Sequence, residues 1–301
     1  MFKNARLYRL EDPSAINAER LEEQLAERQF RPCGPLQTAS LGWHPPVGGQ
    51  TRAFTHAANG CIALCARRQE RLLPPTVVAE ALSQRVEDIE AREARDVGRR
   101  ERRHLRDEVM MDMLPRAFTR SRHLRAYLDL VSGWMVLDAA GEKDAEEMVD
   151  LLRETLGSFP VHPPRPRHAP AVLMTRWVSA GETPDGLGLG DACELRDPSD
   201  ERSLVRCSGQ DLGSEEIAIH LRAGKEVVKL AVHWREHLEF LLEEDLCLKR
   251  LRFADALLEQ AVEPDIEDEG ARFDAELTIM VLQLRELIAC LDDVFAMTGK
   301  T

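Results

Sequence analysis

The sequence predicts an α+β protein: a central α/β domain, a helical arm protruding from it, and a C-terminal domain of antiparallel sheet and helix. Three observations predict it. The first half runs strand, helix, strand, a long helical stretch, hairpin and helix, as though one domain were interrupted. Pro160, Pro163, Pro164, Pro166 and Pro170 then remove backbone amides at short intervals and mark a linker. Beyond them, period-two alternation from Glu226 to Phe253 gives way to a long helical repeat.

Phe2, Ala5, Leu7 and Tyr8 open a strand, and Asp12-Pro13-Ser14 caps a helix whose Ile16, Leu21 and Leu25 face a core. Prolines and glycines from Phe30 to Gly49 mark an irregular loop, and Gly186 to Gly190 reads as a flexible one. Ala53 to Arg67 alternates as a strand with Cys61, Ala63 and Cys65 on one face, followed by basic Arg68 and Arg71. Thr76 caps a helical stretch that closes at Pro115. Its apolar arc, Val78, Leu82, Val86 and Ile89, drifts to Leu105, Val109 and Met113, so a break is expected near Gly98. His123 to Asp138 reads as a hairpin turning at Ser132-Gly133, and Glu142 to Leu156 as a helix with Met148, Leu151 and Leu152 inward.

In the C-terminal part, Asp211 to Ala223 holds a short helix capped by Ser214 and Glu216. Val228, Leu230, Val232 and Trp234 line one face of a strand, while Lys229, His233 and Arg235 line a face that would be basic. Lys249, Arg250 and Arg252 follow on a later strand. The last helix, Ala271 to Met297, buries Phe273, Leu277, Met280, Val281, Leu284, Leu287 and Leu291.

Charge is distributed unevenly. The chain carries a net charge of -13, yet Arg92 to Arg125 holds eleven arginines, no lysine and six acids, a local balance of +5. Because a surface field follows the charges within a Debye length of ~8 Å, a protein repelled by polyanions overall can still hold one locally. On an uninterrupted helix Arg92, Arg95, Arg99, Arg102, Arg103 and Arg106 would share one arc; past the expected break, Arg99, Arg102, Arg103 and Arg106 form the firmer stripe. Arginine-only stripes suit phosphate, which the guanidinium fork meets bidentately.

Other chemistry finds little support. Seven cysteines, with no C-x-x-C pair, read as buried reduced thiols of a cytosolic protein, and no metal or cofactor is expected. Met1 to Leu10 is too polar for a signal peptide, and no apolar run approaches the ~18 residues of a membrane span. The Gly186 to Gly190 run has no following lysine, as a phosphate loop requires. Asp265, Glu267, Glu269, Gly270 and Glu276 match calcium-loop positions, but glutamates replace short ligands and Arg272 replaces an aliphatic residue. His56 with Cys61 and Cys65 reads as strand core. No serine elbow or H-E-x-x-H is present, which leaves a divalent-dependent nuclease using acids such as Asp265 and Glu267 as the enzymatic alternative.

The ordered set Phe2-Lys3-Asn4, Phe30-Arg31-Pro32-Cys33-Gly34, Gly42-Trp43, Asp107-Glu108-Val109, Leu114-Pro115-Arg116-Ala117-Phe118, Gln210-Asp211-Leu212, Leu248-Lys249-Arg250-Leu251 and Arg272-Phe273-Asp274-Ala275 resembles the RdgC family of recombination-associated proteins from end to end. The resemblance implies a non-enzymatic, nucleoid-associated cytoplasmic protein that binds duplex DNA, and single strands as well, without sequence preference and restrains RecA-driven recombination. It also implies a horseshoe protomer that closes with a second copy into a dimeric ring, and RecA as a further partner. Mapped here, the central domain is expected at 1–73 and 119–160, the tip at 74–118 and the base at 161–301. The DNA contacts expected are Arg92, Arg95, Arg99, Arg100, Arg102, Arg103, Arg106, Arg116, Arg120, Lys229, Lys249 and Arg250, with Phe118 at a dimer contact. Cys207-Ser208-Gly209 stands where relatives are expected to carry lysine, so this loop is assigned no phosphate contact. An adaptor whose arm docks an acidic partner is the competing reading.

Overall fold

Strand β1 (Asn4–Leu10) lies inside the main sheet, because its alternate side chains find cover on both faces: Ala5, Leu7, Tyr8 and Leu10 are all buried. The structure, a computed structural model, describes residues 1–48, 51–261 and 268–298. Its further elements are α1 (Ala18–Glu27), β2 (Ala39–His44), β3 (Thr55–Ala58), β4 (Cys61–Arg71), α2 (Pro75–Glu93), α3 (Arg99–Met113), β5 (Thr119–Asp129), β6 (Trp134–Leu137), α4 (Glu142–Leu156), β7 (Val161–His162) and α5 (Pro170–Ala180). Then follow β8 (Leu187–Asp197), β9 (Asp200–Ser208), α6 (Glu215–Arg222), β10 (Glu226–Trp234), β11 (Leu238–Glu243), β12 (Leu248–Phe253), α7 (Asp255–Ala261) and α8 (Glu269–Phe295). Helices beside a large antiparallel sheet give the expected α+β class.

The chain forms two compact units. The first comprises Met1–Leu25, Pro45–Cys65 and the residues from Leu124 onward. Its strand order is β4-β5-β6-β1-β12-β11-β10-β8-β9, with β3 on β4 and β7 on β1. The β1–β12 pairing, Asn4 opposite Lys249 and Ala5 opposite Leu248, makes one sheet of the N-terminal and C-terminal strands. Helix α8 covers it with Leu277, Met280, Val281, Leu284, Leu287, Ile288, Leu291 and Phe295, each contributing roughly 1.5–3 kcal/mol by leaving water.

A buried ion pair secures this helix to the β5–β6 turn. Asp129, at 2% exposure, accepts bonds from Arg285 Nε at 2.7 Å and Nη2 at 2.9 Å, from the Val131 and Ser132 amides, and from the Ser132 hydroxyl. Arg285 Nη2 also donates to the Asn59 carbonyl at 3.1 Å and approaches Cys61 Sγ at 3.3 Å. Burial opposes ionisation of Asp129, but the Arg285 guanidinium and the Ser132 donors outweigh it and hold the carboxyl below its ordinary value.

The second unit, Ala26–His44 and Ala66–His123, holds β2, the far halves of β4 and β5, and the arm α2–α3. Helix α2 ends in Ala94 at φ 50°, and α3 restarts from Gly98. Leu82, Val86 and Leu105 form a small core between the two helices, with Ile89 and Val97 against it. The break falls where the drifting apolar arc places it.

Several expectations need correction. The 30–49 loop contains β2, held by bridges of Phe30 and Arg28 to Trp43. The single strand at 53–67 is a hairpin, β3–β4, turning at Asn59-Gly60 with φ of 48° and 74°. Left-handed backbone there favours glycine, and a Cβ on Gly60 would meet Val131 Cγ2 at 2.5 Å. Asp12 caps one short turn, Pro13–Ala15, and α1 starts later, with Asn17 Oδ1 accepting the Arg20 amide. Pro75, not a Thr76 cap, begins α2, since proline's missing N–H costs nothing in a first turn. Pro170, the last residue of the expected linker, likewise opens α5. Gly186–Gly190 is no flexible loop: Leu187, Gly188 and Leu189 pair with Trp234, His233 and Val232 as the start of β8. A Cβ on Gly190 would lie 2.8 Å from that of Ala231, so the glycines let neighbouring side chains lie across the strand.

Candidate nucleic-acid interface

Helix α3 opens with Arg99-Arg100-Glu101-Arg102-Arg103 and continues to Arg106, a run whose only buried member is Leu105. With Leu105 turned into the arm's core, Arg99, Arg102, Arg103 and Arg106 share an arc of about 100° to one side of it, and all are exposed. Among the described residues no acid lies within ion-pair distance of these four, of Arg100 or of Arg116. Five clustered cations that form no ion pair among the described residues make this stretch of the helix locally rich in positive charge.

Arg92 and Arg95 stand differently. The helix break removes them from the α3 arc and sets them at the corner. Arg92 Nη2 lies 3.2 Å from Glu93, while Arg95 Nη2 lies 2.7 Å from Glu93 and Arg95 grips Glu101 with two bonds of 2.7 Å. These guanidinium groups hold the Glu93 and Glu101 carboxyls below their ordinary values. The clasp therefore occupies the acid nearest the start of the stripe. Arg120 on β5 pairs with Glu70 on β4. Arg67, Arg68 and Arg71 of β4 are also engaged: Arg67 stacks on Phe30 at 4.6 Å, Arg68 lies 3.8 Å from Glu70, and Arg71 donates to the Ala117 and Gly34 carbonyls. Phe118, where the arm returns to the sheet, is 84% exposed.

In the other unit, the outer sheet face is charge-balanced. A ladder runs Arg206–Glu194 at 2.7 Å, Glu194–Lys229 at 3.4 Å, Lys229–Glu243 at 3.3 Å and Glu243–Lys249 at 2.7 Å. Lys229 and Lys249 thus have acid partners, supplied by cross-strand positions that reading one strand at a time does not reveal. Arg250, at φ 55°, is exposed at a bulge. With Arg252, His233, Gln210, Asp191, Asp211 and Glu239 it borders a groove of about 840 Å³ floored by Gly190, Ala231 and Leu241.

Metal-ligating side chains meet once among the described residues: Glu243, Asp245 and Cys247 bring donor atoms within 4.8 Å of one another. Each acid already serves a cation, Glu243 the two lysines and Asp245 the Arg6 guanidinium at 2.9 Å. His56 lies 2.9 Å from Asp274, with buried Cys61 and Cys65 in strand core. Asp265 and Glu267 lie outside the described residues, and Glu269 and Gly270 form the first turn of α8 rather than a loop. No helix among the described residues is long and apolar enough to cross a membrane.

Comparison with known proteins places these features in a family context. A family model described as "Putative exonuclease, RdgC" matches residues 1–298. The chain is 40% identical over 290 residues to proteins of Salmonella typhimurium, Salmonella typhi and Salmonella dublin, each named "Recombination-associated protein RdgC". The match covers 96% of this chain and 96% of each relative.

Proposed function

Since the chain belongs to the RdgC family, we propose that it acts in DNA recombination as a non-enzymatic protein that binds duplex DNA without sequence preference, closing as a homodimeric ring that restrains RecA. The observation that carries this reading is the α3 stripe: Arg99, Arg102, Arg103 and Arg106, exposed and without acid partners among the described residues, on a chain of net charge -13. Such a stripe suits phosphate tracking, which positions a protein on duplex without reading its sequence. Arg100 and Arg116 extend it, and Arg250 offers a second contact. Arg92, Arg95, Arg120, Lys229 and Lys249 contribute after exchanging an acid for a phosphate, which lowers their net gain. The arm at 74–118 serves as the tip and 161–301 as the base of the ring, and exposed Phe118 serves as the apolar contact between tips.

The test is binding to linear and circular duplexes of unrelated sequence, with the free protein sized in solution. A dimer retained on circles but lost from open ends is expected, with log K falling by about 0.9 per log unit of salt for each phosphate contacted. Salt-independent affinity, or equal escape from both forms, overturns the proposal.

The family model's own description favours a second reading, a nuclease. Incubation of end-labelled linear duplex and single strands, alongside supercoiled plasmid, with magnesium or manganese separates the two, and undegraded ends with intact plasmid are the expected result.

A further inference from the structure

The β8–β9 hairpin sets Cys193 directly opposite Cys207 in its register, between the Leu195–Val205 and Ala192–Ser208 pairs. Both thiols point to the core side of the sheet: Cys193 is buried, and Cys207, half-buried, packs against the same apolar cluster. Facing residues of antiparallel strands have Cα atoms about 4.5–5.5 Å apart, a separation that a disulfide spans. Among the described residues no other two cysteines stand opposite each other in strand register.

We propose that Cys193 and Cys207 form a reversible dithiol site that a hydroperoxide oxidises to a cross-strand disulfide. Cys207, the more accessible sulfur, attacks the peroxide O–O bond and becomes a sulfenic acid, releasing water. The Cys193 sulfur then attacks the Cys207 sulfur, the S–O bond breaks, and the departing hydroxide leaves as water with the Cys193 proton. Two thiols and one hydrogen peroxide give one disulfide and two waters. The sulfurs lose two electrons, which the peroxide oxygens gain. Burial pushes the Cys193 thiol up to about 12, which suits it to the second step rather than the first. A dithiol reductant reverses the reaction by exchange.

Its place in the sheet gives the bond a mechanical consequence. Strand β9 ends the strand order and pairs with β8 alone, and its C-terminal end leads through Ser208-Gly209 into Gln210–Gly213, which borders the outer-face groove. The disulfide ties down that end of the strand. This site stands independently of nucleic-acid binding.

Hydrogen peroxide treatment of the full chain, followed by alkylation, intact mass measurement and non-reducing peptide mapping, tests it. Two of the seven thiols are expected to escape alkylation, the chain to lose two hydrogen masses, and one linked peptide to contain Cys193 and Cys207. Dithiothreitol restores all of them. Cys193→Ser and Cys207→Ser each abolish the linked peptide. Because buried Cys193→Ser is the variant at greater risk of misfolding, the unmodified chain's own peptide map is decisive: oxygen adducts on Cys207 without a link, or a link to any other cysteine or between chains, overturns the proposal.

Discussion

Replacing Arg99, Arg102, Arg103 and Arg106 together by alanine is expected to weaken duplex binding by roughly 10³-fold at moderate salt. Removing each guanidinium–phosphate hydrogen bond costs ~1 kcal/mol, somewhat below the range for charged groups because these side chains are exposed. The four side chains touch no described acid, so their removal leaves no orphaned charge behind. Alanine is the strongest helix former and Leu105 is untouched, so α3 persists and the thermal midpoint should stay near that of the parent. Titrations of several random duplexes at a series of salt concentrations provide the check. The weakening should be uniform across sequences, and the salt slope should flatten by about 0.9 for each phosphate no longer neutralised. Unchanged affinity would remove the arm from the interface, and an effect confined to one sequence would turn phosphate tracking into base readout.

Arg285→Ala should produce the largest fall in stability, about 3–5 kcal/mol, because it leaves the Asp129 carboxylate buried without its cation. Urea denaturation near neutral pH reads this as a lowered midpoint. The pH dependence adds a sign. Asp129 titrates below its ordinary value in the folded protein, so the pair's contribution is present above the ordinary carboxylate range near 3.9 and is lost as pH falls through the depressed folded value. The gap between parent and variant should therefore narrow in acid. A gap that is small at neutral pH, or constant into acid, would show that α8 is held by its apolar face alone.

What could be read from the residues divides along physical lines. Features encoded by neighbours in sequence were legible. Helix α4 spans Glu142–Leu156, as its 3.6-residue period and the left-handed Gly157 dictate, and the arm breaks where its apolar arc shifts. The arginine stripe belongs to this group, since four members lie within eight residues of one helix. Features encoded by pairing were not. Glycine-rich β8 lacks β-branched residues, and its strand state comes from hydrogen bonds to β10, which the local sequence does not contain. The acids facing Lys229 lie 35 residues before it, at Glu194, and on the next strand, at Glu243, so its neutralisation depends on register. The Asp129–Arg285 pair joins residues 156 apart, and only the packing of α8 on the hairpin brings them together. Helix α5 is illegible for a different reason: Pro170 reads equally as the last residue of a linker or the first of a helix.

The corner between α2 and α3 has a consequence for its neighbours. By chelating Glu93 and Glu101, Arg95 acts as an internal counterion and keeps both carboxylates from folding back over the guanidinium groups downstream. While that clasp holds, the adjoining helix keeps its cations clear of both acids, and a phosphate that displaced it would release Glu101 beside them.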